Sequence, residues 1–155
     1  MKRTVLLCAV LGALVLWGRV PHQGTDVARL HPVEVVAVTA GDGMRLQTDT
    51  GLAGEGSTPE AALEDLRSSA TGTVFLDTAD YLLLSPEAER YLPLLRPLLR
   101  PTCRVCLYRG EPDLAQAARY LAGRDWPLTL GIWRAEGGML PVLITEEGRM
   151  ELVYP

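Results

Sequence analysis

The sequence has few of the residues on which most enzyme active sites and nucleic-acid-binding surfaces depend. Of its 155 residues only two are histidine, His22 and His31, and Lys2 is the only lysine among fifteen basic residues. Both histidines precede the part predicted to fold, so a Ser-His or Cys-His catalytic centre cannot be assembled within that part. A net charge of −4 and the lack of an arginine-rich face argue against a nucleic-acid partner.

Motifs for a cofactor or a metal are also lacking. The three cysteines provide one Cys-x-x-Cys spacing, at Cys103 and Cys106, and no second pair completes a zinc site. We therefore expect no catalytic, cofactor-binding or metal-binding residues and no enzymatic activity. The sequence contains no internal repeat and no low-complexity tract.

The beginning of the chain carries a membrane signal. Thr4 to Gly18 is an uncharged, largely apolar run that follows Lys2 and Arg3 and ends at Arg19. Its length is below the roughly 20 residues of a spanning helix, which favours a cleaved signal peptide. The lack of an Ala-x-Ala-like site favours an uncleaved anchor instead. Residues 1–19 are interpreted as a signal peptide or membrane anchor, 20–32 as a tether, and 33–155 as one extracytoplasmic globular domain, either membrane-anchored or secreted.

Hairpins are predicted at both ends of this domain. Residues 33–38 form an apolar strand, the turn Ala40-Gly41-Asp42-Gly43 follows, and residues 44–48 alternate apolar with polar side chains. Residues 139–145 and 149–154 predict a second hairpin around Glu146-Glu147-Gly148.

Between the hairpins, helices alternate with strands. A glycine-rich turn at Gly54 to Gly56 leads into a helix that Ser57 or Thr58 caps, with Ala61, Ala62, Leu63, Leu66 and Ala70 facing inward. Buried strands are predicted at residues 73–76 and 81–84. The next helix begins at Ser85-Pro86-Glu87, buries Ala88, Tyr91, Leu92, Leu95 and Leu99, and is broken by Pro93 and Pro97.

The remaining segments complete the alternation. Residues 103–108 predict a strand, and a third helix begins at Glu111-Pro112-Asp113 and ends at Gly123. Residues 125–138 give a mixed pattern, typical of a short strand or a single helical turn. The fold class is α/β, with α+β as the alternative: a mixed β-sheet with about three helices packed on it and an apolar segment before it.

Asp49-Thr50-Gly51 matches the tripeptide of aspartic proteases, in which two such loops bring two carboxylates together. The motif occurs once, and no apolar strand precedes it. The preferred interpretation is a polar turn, and a protease would need a dimer to supply the second carboxylate.

Cys103 and Cys106 have redox spacing, but in a strand they point to opposite faces, with α-carbons roughly 10 Å apart. Cys106 is interpreted as a small core residue and Cys103 as an edge residue. Redox chemistry remains the alternative.

Two further groups of residues invite a functional interpretation. Asp77, Asp80, Glu87 and Glu89 surround the second central strand, although carboxylates are common at strand ends and in first helical turns. The proline-broken helix has more leucines than one core-facing stripe needs, which makes Leu94 and Leu98 a candidate partner surface. A helix covered on both sides is the alternative.

A run of packing motifs from Gly54 to Arg109 resembles the N-terminal domain of the Ger(x)C family. The matching segments are Gly54-x-Gly56-Ser57, Glu60-Ala61-Ala62-Leu63-x-x-Leu66, Val74-Phe75-Leu76-Asp77, Leu82-Leu83-Leu84 and Tyr91-Leu92-x-x-Leu95-x-x-Leu98-Leu99-Arg100. Members of that family are the C subunits of spore germinant receptors, which act on the outer face of a membrane beside two other subunits. The resemblance implies a shortened, stand-alone relative and contributes no catalytic residues.

The sequence therefore predicts a non-enzymatic, exported or membrane-tethered bacterial module that binds protein partners. The resemblance implies an association with spore germination and makes membrane receptor subunits the expected partners. The alternative is an exported thiol-disulfide protein using Cys103 and Cys106, and the third hypothesis is an aspartyl hydrolase centred on Asp49.

Overall fold

A computed structural model describes residues 30–124, 128–146 and 148–155 of the chain. The predicted signal or anchor and most of the predicted tether lie outside these residues. Within the described part, no helix has the length and apolarity needed to cross a membrane.

Seven strands form one mixed sheet, which confirms the predicted α/β fold. In spatial order they are β4, β3, β2, β6, β7, β8 and β9. Their bounds are β2 (Val35–Ala40), β3 (Met44–Thr48), β4 (Ala53–Gly56), β6 (Tyr81–Leu84), β7 (Arg104–Arg109), β8 (Val142–Glu146) and β9 (Arg149–Val153). The four central strands β2, β6, β7 and β8 are parallel, and the predicted hairpins make both ends antiparallel.

A second, two-stranded sheet lies apart from the first. Strand β1 (Leu30–Pro32) pairs in parallel with β5 (Thr73–Phe75). The last three residues of the predicted tether are therefore a strand. The prediction that residues 73–76 form a buried strand was only half right, because Thr73 is exposed, Phe75 is half-buried and Leu76 begins a 3-10 turn.

In the described part of the chain, four α-helices accompany the main sheet, where about three were predicted. They are α1 (Pro59–Ser69), α2 (Leu92–Leu95), α3 (Leu114–Ala122) and α4 (Leu130–Glu136). Helix α4 lies where the sequence indicated a short strand or a single helical turn. Its start is defined by Thr129, whose hydroxyl accepts from the Ile132 amide at 3.3 Å.

The helices cover the sheet on two sides. On one side, the α1 face, Val36 and Leu82 pack with leucines of α1, α2 and α4. On the other, the α3 face, Val35 and Leu83 pack with Ala117, Ala118 and Leu121 of α3. All four residues of β6 are buried, as the apolar run in the sequence predicted.

Helix α1 begins at the predicted position, but the residues that precede it form a strand and not a turn. The Thr58 hydroxyl accepts from the Ala61 amide at 3.2 Å, and Ala62, Leu63 and Leu66 are buried, whereas Ala61 is exposed. The predicted turn at Gly54 to Gly56 is wrong: these residues belong to β4. A β-carbon on Gly54 would lie 2.3 Å from the Ala62 carbonyl oxygen, so the strand can lie on the helix only because it has no side chain there.

The proline-broken helix is confirmed. A 3-10 helix at Pro86–Tyr91 passes into the four-residue α2 and then into a second 3-10 turn at Arg96–Leu98. The predicted inward residues Ala88, Leu92, Leu95 and Leu99 are buried and Tyr91 is half-buried.

Helix α3 also matches its prediction. The Asp113 carboxylate accepts from the Ala115 amide at 3.0 Å and the Gln116 amide at 3.2 Å, and Gly123 is the C-terminal cap. The Asp113 carboxylate thus provides acceptors for two amides in the first turn of α3, which have no acceptor within the helix.

Candidate functional site

A groove of about 1050 Å³ opens at the carboxyl ends of the parallel strands β2, β6 and β7. Ligands of open α/β sheets bind at this edge of the sheet. Each strand leaves a polar or glycine residue at the groove: Thr39 near the end of β2, Ser85 after β6, and Tyr108 and Gly110 at the end of β7. The β3–β4 hairpin and the turn before α3 form its sides.

Hydroxyl groups hold the floor of the groove together. The side-chain oxygens of Thr39 and Tyr108 lie 2.6 Å apart, which links β2 to β7 across the intervening β6. The Ser85 hydroxyl accepts from the Ala40 amide at 3.2 Å and is buried. These bonds fix the positions of the three strand ends relative to one another.

The charged side chains of the groove are of both signs. Arg45 lies 3.7 Å from Glu55 across the β3–β4 pair, and both side chains are largely exposed. The carboxylates of Asp42 and Glu111 are also on the rim and exposed. The described residues that line the groove include no histidine and no cysteine. They can form hydrogen bonds and ion pairs with a polar ligand, but they do not assemble a nucleophile with a base.

Comparison with known protein families, curated proteins and solved structures found no match to this chain.

The groove was not predicted from the sequence. Its residues come from four separate segments, 37–47, 55–57, 85–86 and 108–114, and they meet because β2, β6 and β7 are neighbours in the sheet. The available signal was the glycine and hydroxyl residues that follow predicted strands, but the strand order was needed to bring them together.

Asp49 lies in a turn that supports the start of β2. One carboxylate oxygen accepts from the Glu34 amide at 3.1 Å and from the Val35 amide at 3.2 Å. Gly51 has φ 82° and completes the turn into β4. This geometry agrees with the interpretation of Asp49-Thr50-Gly51 as a polar turn, since the carboxylate is occupied by backbone amides.

Substitutions of Asp49 test its role as the acceptor for the two backbone amides. Asp49→Ala removes the acceptor for two amides and is expected to cost about 1–2 kcal/mol of unfolding free energy. Asp49→Asn keeps an acceptor oxygen and should cost less than about 1 kcal/mol, because a neutral acceptor gives weaker bonds than a carboxylate. Urea unfolding of the two variants checks the difference. Equal losses for Asn and Ala would contradict the capping role.

The two cysteines are buried on opposite sides of the sheet. Cys103 precedes β7 and belongs to the core on the α1 face, whereas Cys106 lies on the α3 face. The expectation that Cys103 is an edge residue is wrong, because β7 is an interior strand between β6 and β8. Burial raises the pKa of Cys103 to about 12 and raises the pKa of Cys106 further. Because both thiols are buried and protonated, this arrangement does not present the accessible thiolate that thiol-disulfide exchange requires.

The same burial predicts an alkaline loss of stability. Both thiols stay protonated in the folded state above pH 9, the usual thiol pKa, whereas the unfolded chain releases the protons. Unfolding free energy should therefore fall as pH rises from 9 toward 12, by on the order of 1 kcal/mol per pH unit for each thiol. The comparison is with Cys103→Ala/Cys106→Ala, which lacks both thiols and should show the shallower slope in denaturant unfolding. Parallel slopes would contradict the buried, protonated state.

The acidic residues on either side of β6 do not form one site. Asp77, Asp80, Glu87 and Glu89 are all exposed, and Asp80 pairs with Arg100. Arg100 also donates to the Ala79 carbonyl at 3.2 Å, so this pair joins the chain after α2 to the start of β6. Among the described residues, no group of three or more histidine, cysteine or acidic side chains could hold a metal ion.

The two leucines of the predicted partner surface differ in exposure. Leu94 is 51% exposed, whereas Leu98 is half-buried and packs against the core of the α1 face. Of these two leucines, Leu94 is therefore the one that projects into solvent.

Proposed function

We propose that this chain is a non-enzymatic module that acts outside the cytoplasmic membrane, exported or tethered by residues 1–19, and binds a protein partner through the surface around Leu94. The proposal continues the prediction made from the sequence. Partners among membrane receptor subunits are expected on the family resemblance alone.

The observation that carries the proposal is the exposure of Leu94. Leu92 and Leu95 on the same short helix are buried, so the core contacts of α2 are already made without Leu94. A leucine that is 51% exposed leaves about half of its surface in water, and this is apolar area that a partner can bury. Single exposed leucines are common, but this one lies on a segment with further apolar area at Leu98 and Tyr91.

The backbone of this segment is suited to present a side chain without further ordering. Pro93 and Pro97 restrict the chain in the free protein, and the Asp80–Arg100 pair anchors its end. A preorganised surface loses less conformational entropy when a partner binds. Leu94 would then act as an apolar anchor for the partner.

The test compares Leu94→Arg with Glu89→Arg in the full chain. Both variants place an arginine at an exposed position on the same proline-rich segment, so they differ in whether an apolar anchor is lost. The chain would be expressed with its own N-terminus in a spore-forming host and immunoprecipitated from membrane and soluble fractions. Partners recovered with the wild type would be identified by mass spectrometry and titrated against each variant.

We expect Leu94→Arg to weaken binding of a recovered partner at least about tenfold, which corresponds to about 1.4 kcal/mol. Its melting temperature should stay close to that of the wild type, because the side chain is at the surface. Glu89→Arg should bind normally. Unchanged binding by Leu94→Arg, or equal losses in both variants, would rule out the Leu94 surface.

A further inference from the structure

The two edge strands of the seven-stranded sheet differ in how side chains hydrogen-bond to their backbone groups. At β4, the Glu55 amide donates to the Asp65 carboxylate at 2.8 Å, and the Ala53 carbonyl accepts from the Ser69 hydroxyl at 3.3 Å. Asp65 and Ser69 both belong to α1, which packs directly on this strand. Side chains of α1 thus occupy backbone groups that could otherwise pair with another strand.

The opposite edge, β9, is protected at a single amide. Leu152 donates its amide to the Tyr120 hydroxyl at 3.2 Å, so this amide points away from β8. Backbone groups of an antiparallel strand alternate in direction, so the amide and carbonyl of Met150 also point outward. Among the described residues, neither group has a hydrogen-bond partner. No proline or lysine interrupts β9 itself.

The sequence of β9 is complementary to itself in one antiparallel register. When two copies pair about Met150, each Arg149 lies opposite Glu151 of the other copy, on the same face of the extended sheet. A shift that centres the pair on Glu151 places two carboxylates opposite each other, and centring on Arg149 places two guanidinium groups opposite each other. Charge therefore selects the register about Met150.

We propose that β9 pairs antiparallel with β9 of a second copy of this chain, centred on Met150, so that two sheets become one. The two Met150 residues exchange amide-to-carbonyl hydrogen bonds, and two Arg149–Glu151 pairs flank them. The Leu152 amide remains with Tyr120. Because the contact is one strand wide, the dimer is weak and depends on concentration. This inference does not rest on the Leu94 surface, which lies on a helix of the α1 face.

Charge reversal tests the register. The full chain is studied by analytical ultracentrifugation in a density-matched detergent as wild type, Arg149→Glu, Glu151→Arg and the double reversal. Each single variant should weaken the dimer about tenfold, because it replaces two attractive pairs by two repulsive ones. The double reversal should restore affinity to within about twofold, since the pairs are rebuilt with opposite polarity. Dimerisation that is equally strong in all four chains overturns the proposal.

A second set of variants tests the backbone pairing. Met150→Pro removes an amide that makes no hydrogen bond within the described residues, so an edge strand can accept it while dimerisation is lost. Met150→Ala keeps the amide and should dimerise as the wild type does. If Met150→Pro does not fold by circular dichroism, the charge-reversal series decides alone. A wild-type chain that is monomeric up to millimolar concentration overturns the proposal, and so does one whose β9 pairs only with a different protein.

Discussion

Gly54→Ala is expected to remove a substantial part of the stability of this protein. The added methyl group would lie 2.3 Å from the Ala62 carbonyl oxygen and 2.3 Å from the Leu66 amide nitrogen. Both are backbone atoms inside a helix, so neither can rotate away, and β4 must separate from α1. Overpacking costs about 3 kcal/mol or more in such a case. That loss is large beside a total stability of about 5–15 kcal/mol.

Gly41→Ala is the matched control for this prediction. A β-carbon at Gly41 meets no atom within 4 Å among the described residues, and its backbone is not in the left-handed region. The substitution should leave the unfolding free energy within about 0.5 kcal/mol of wild type. Thermal and urea unfolding of both variants measures the difference. A Gly54→Ala protein as stable as Gly41→Ala would show that β4 does not lie on α1 as closely as the structure has it.

Gly110→Ala is expected to have the second-largest effect. Gly110 has φ 88°, a conformation that costs other residues about 1–2 kcal/mol. Its β-carbon would also lie 2.4 Å from the Thr145 carbonyl oxygen of β8. Strain and collision act together, so we expect a loss of about 3 kcal/mol or more. Because Gly110 lines the groove, the same change would alter its shape at the end of β7.

Gly148→Ala separates the two contributions at Gly110. Gly148 has a similar φ of 77° in the turn between β8 and β9, but nothing among the described residues lies within 4 Å of its β-carbon. It should lose about 1 kcal/mol from backbone strain alone. The difference between the two variants in denaturant unfolding reports the collision with Thr145. Equal losses would mean that β8 moves aside at little cost.

Neither Gly54 nor Gly110 has a role that the sequence indicated. Gly54 was assigned to a turn, because glycine between two elements is typical of turns. Its role in the structure is close approach of a strand to a helix, which depends on α1 folding back onto β4. Gly110 gave no signal of its own, since its contact with Thr145 joins two strands that are far apart in the sequence.

The groove and the Leu94 surface offer different kinds of interaction. The groove presents hydroxyls and charges of both signs at the carboxyl ends of three parallel strands. Leu94 presents an apolar side chain on a segment stiffened by proline. The proposed protein-binding function rests on the second, because an exposed leucine gains free energy when a partner buries it, whereas polar groups of the groove are already solvated.

Local chemistry in the sequence determined where most elements begin and end. Thr58 and Asp113 cap their helices with side-chain oxygens, Pro93 and Pro97 break the helix they occupy, and Gly148 closes the second hairpin. These effects act over three or four residues, so they can be read without knowing the rest of the fold. The apolar run of β6 likewise indicated a strand buried on both faces.

Tertiary structure decided the features that depend on distant partners. It placed β5 beside β1 rather than in the main sheet, turned the Gly54 segment into an edge strand, and buried Cys103 beside an interior strand. It also brought three strand ends together as a groove. For β5 and the groove the deciding interaction joins segments well separated in the chain, and its free energy comes from burial and backbone pairing that no local pattern encodes.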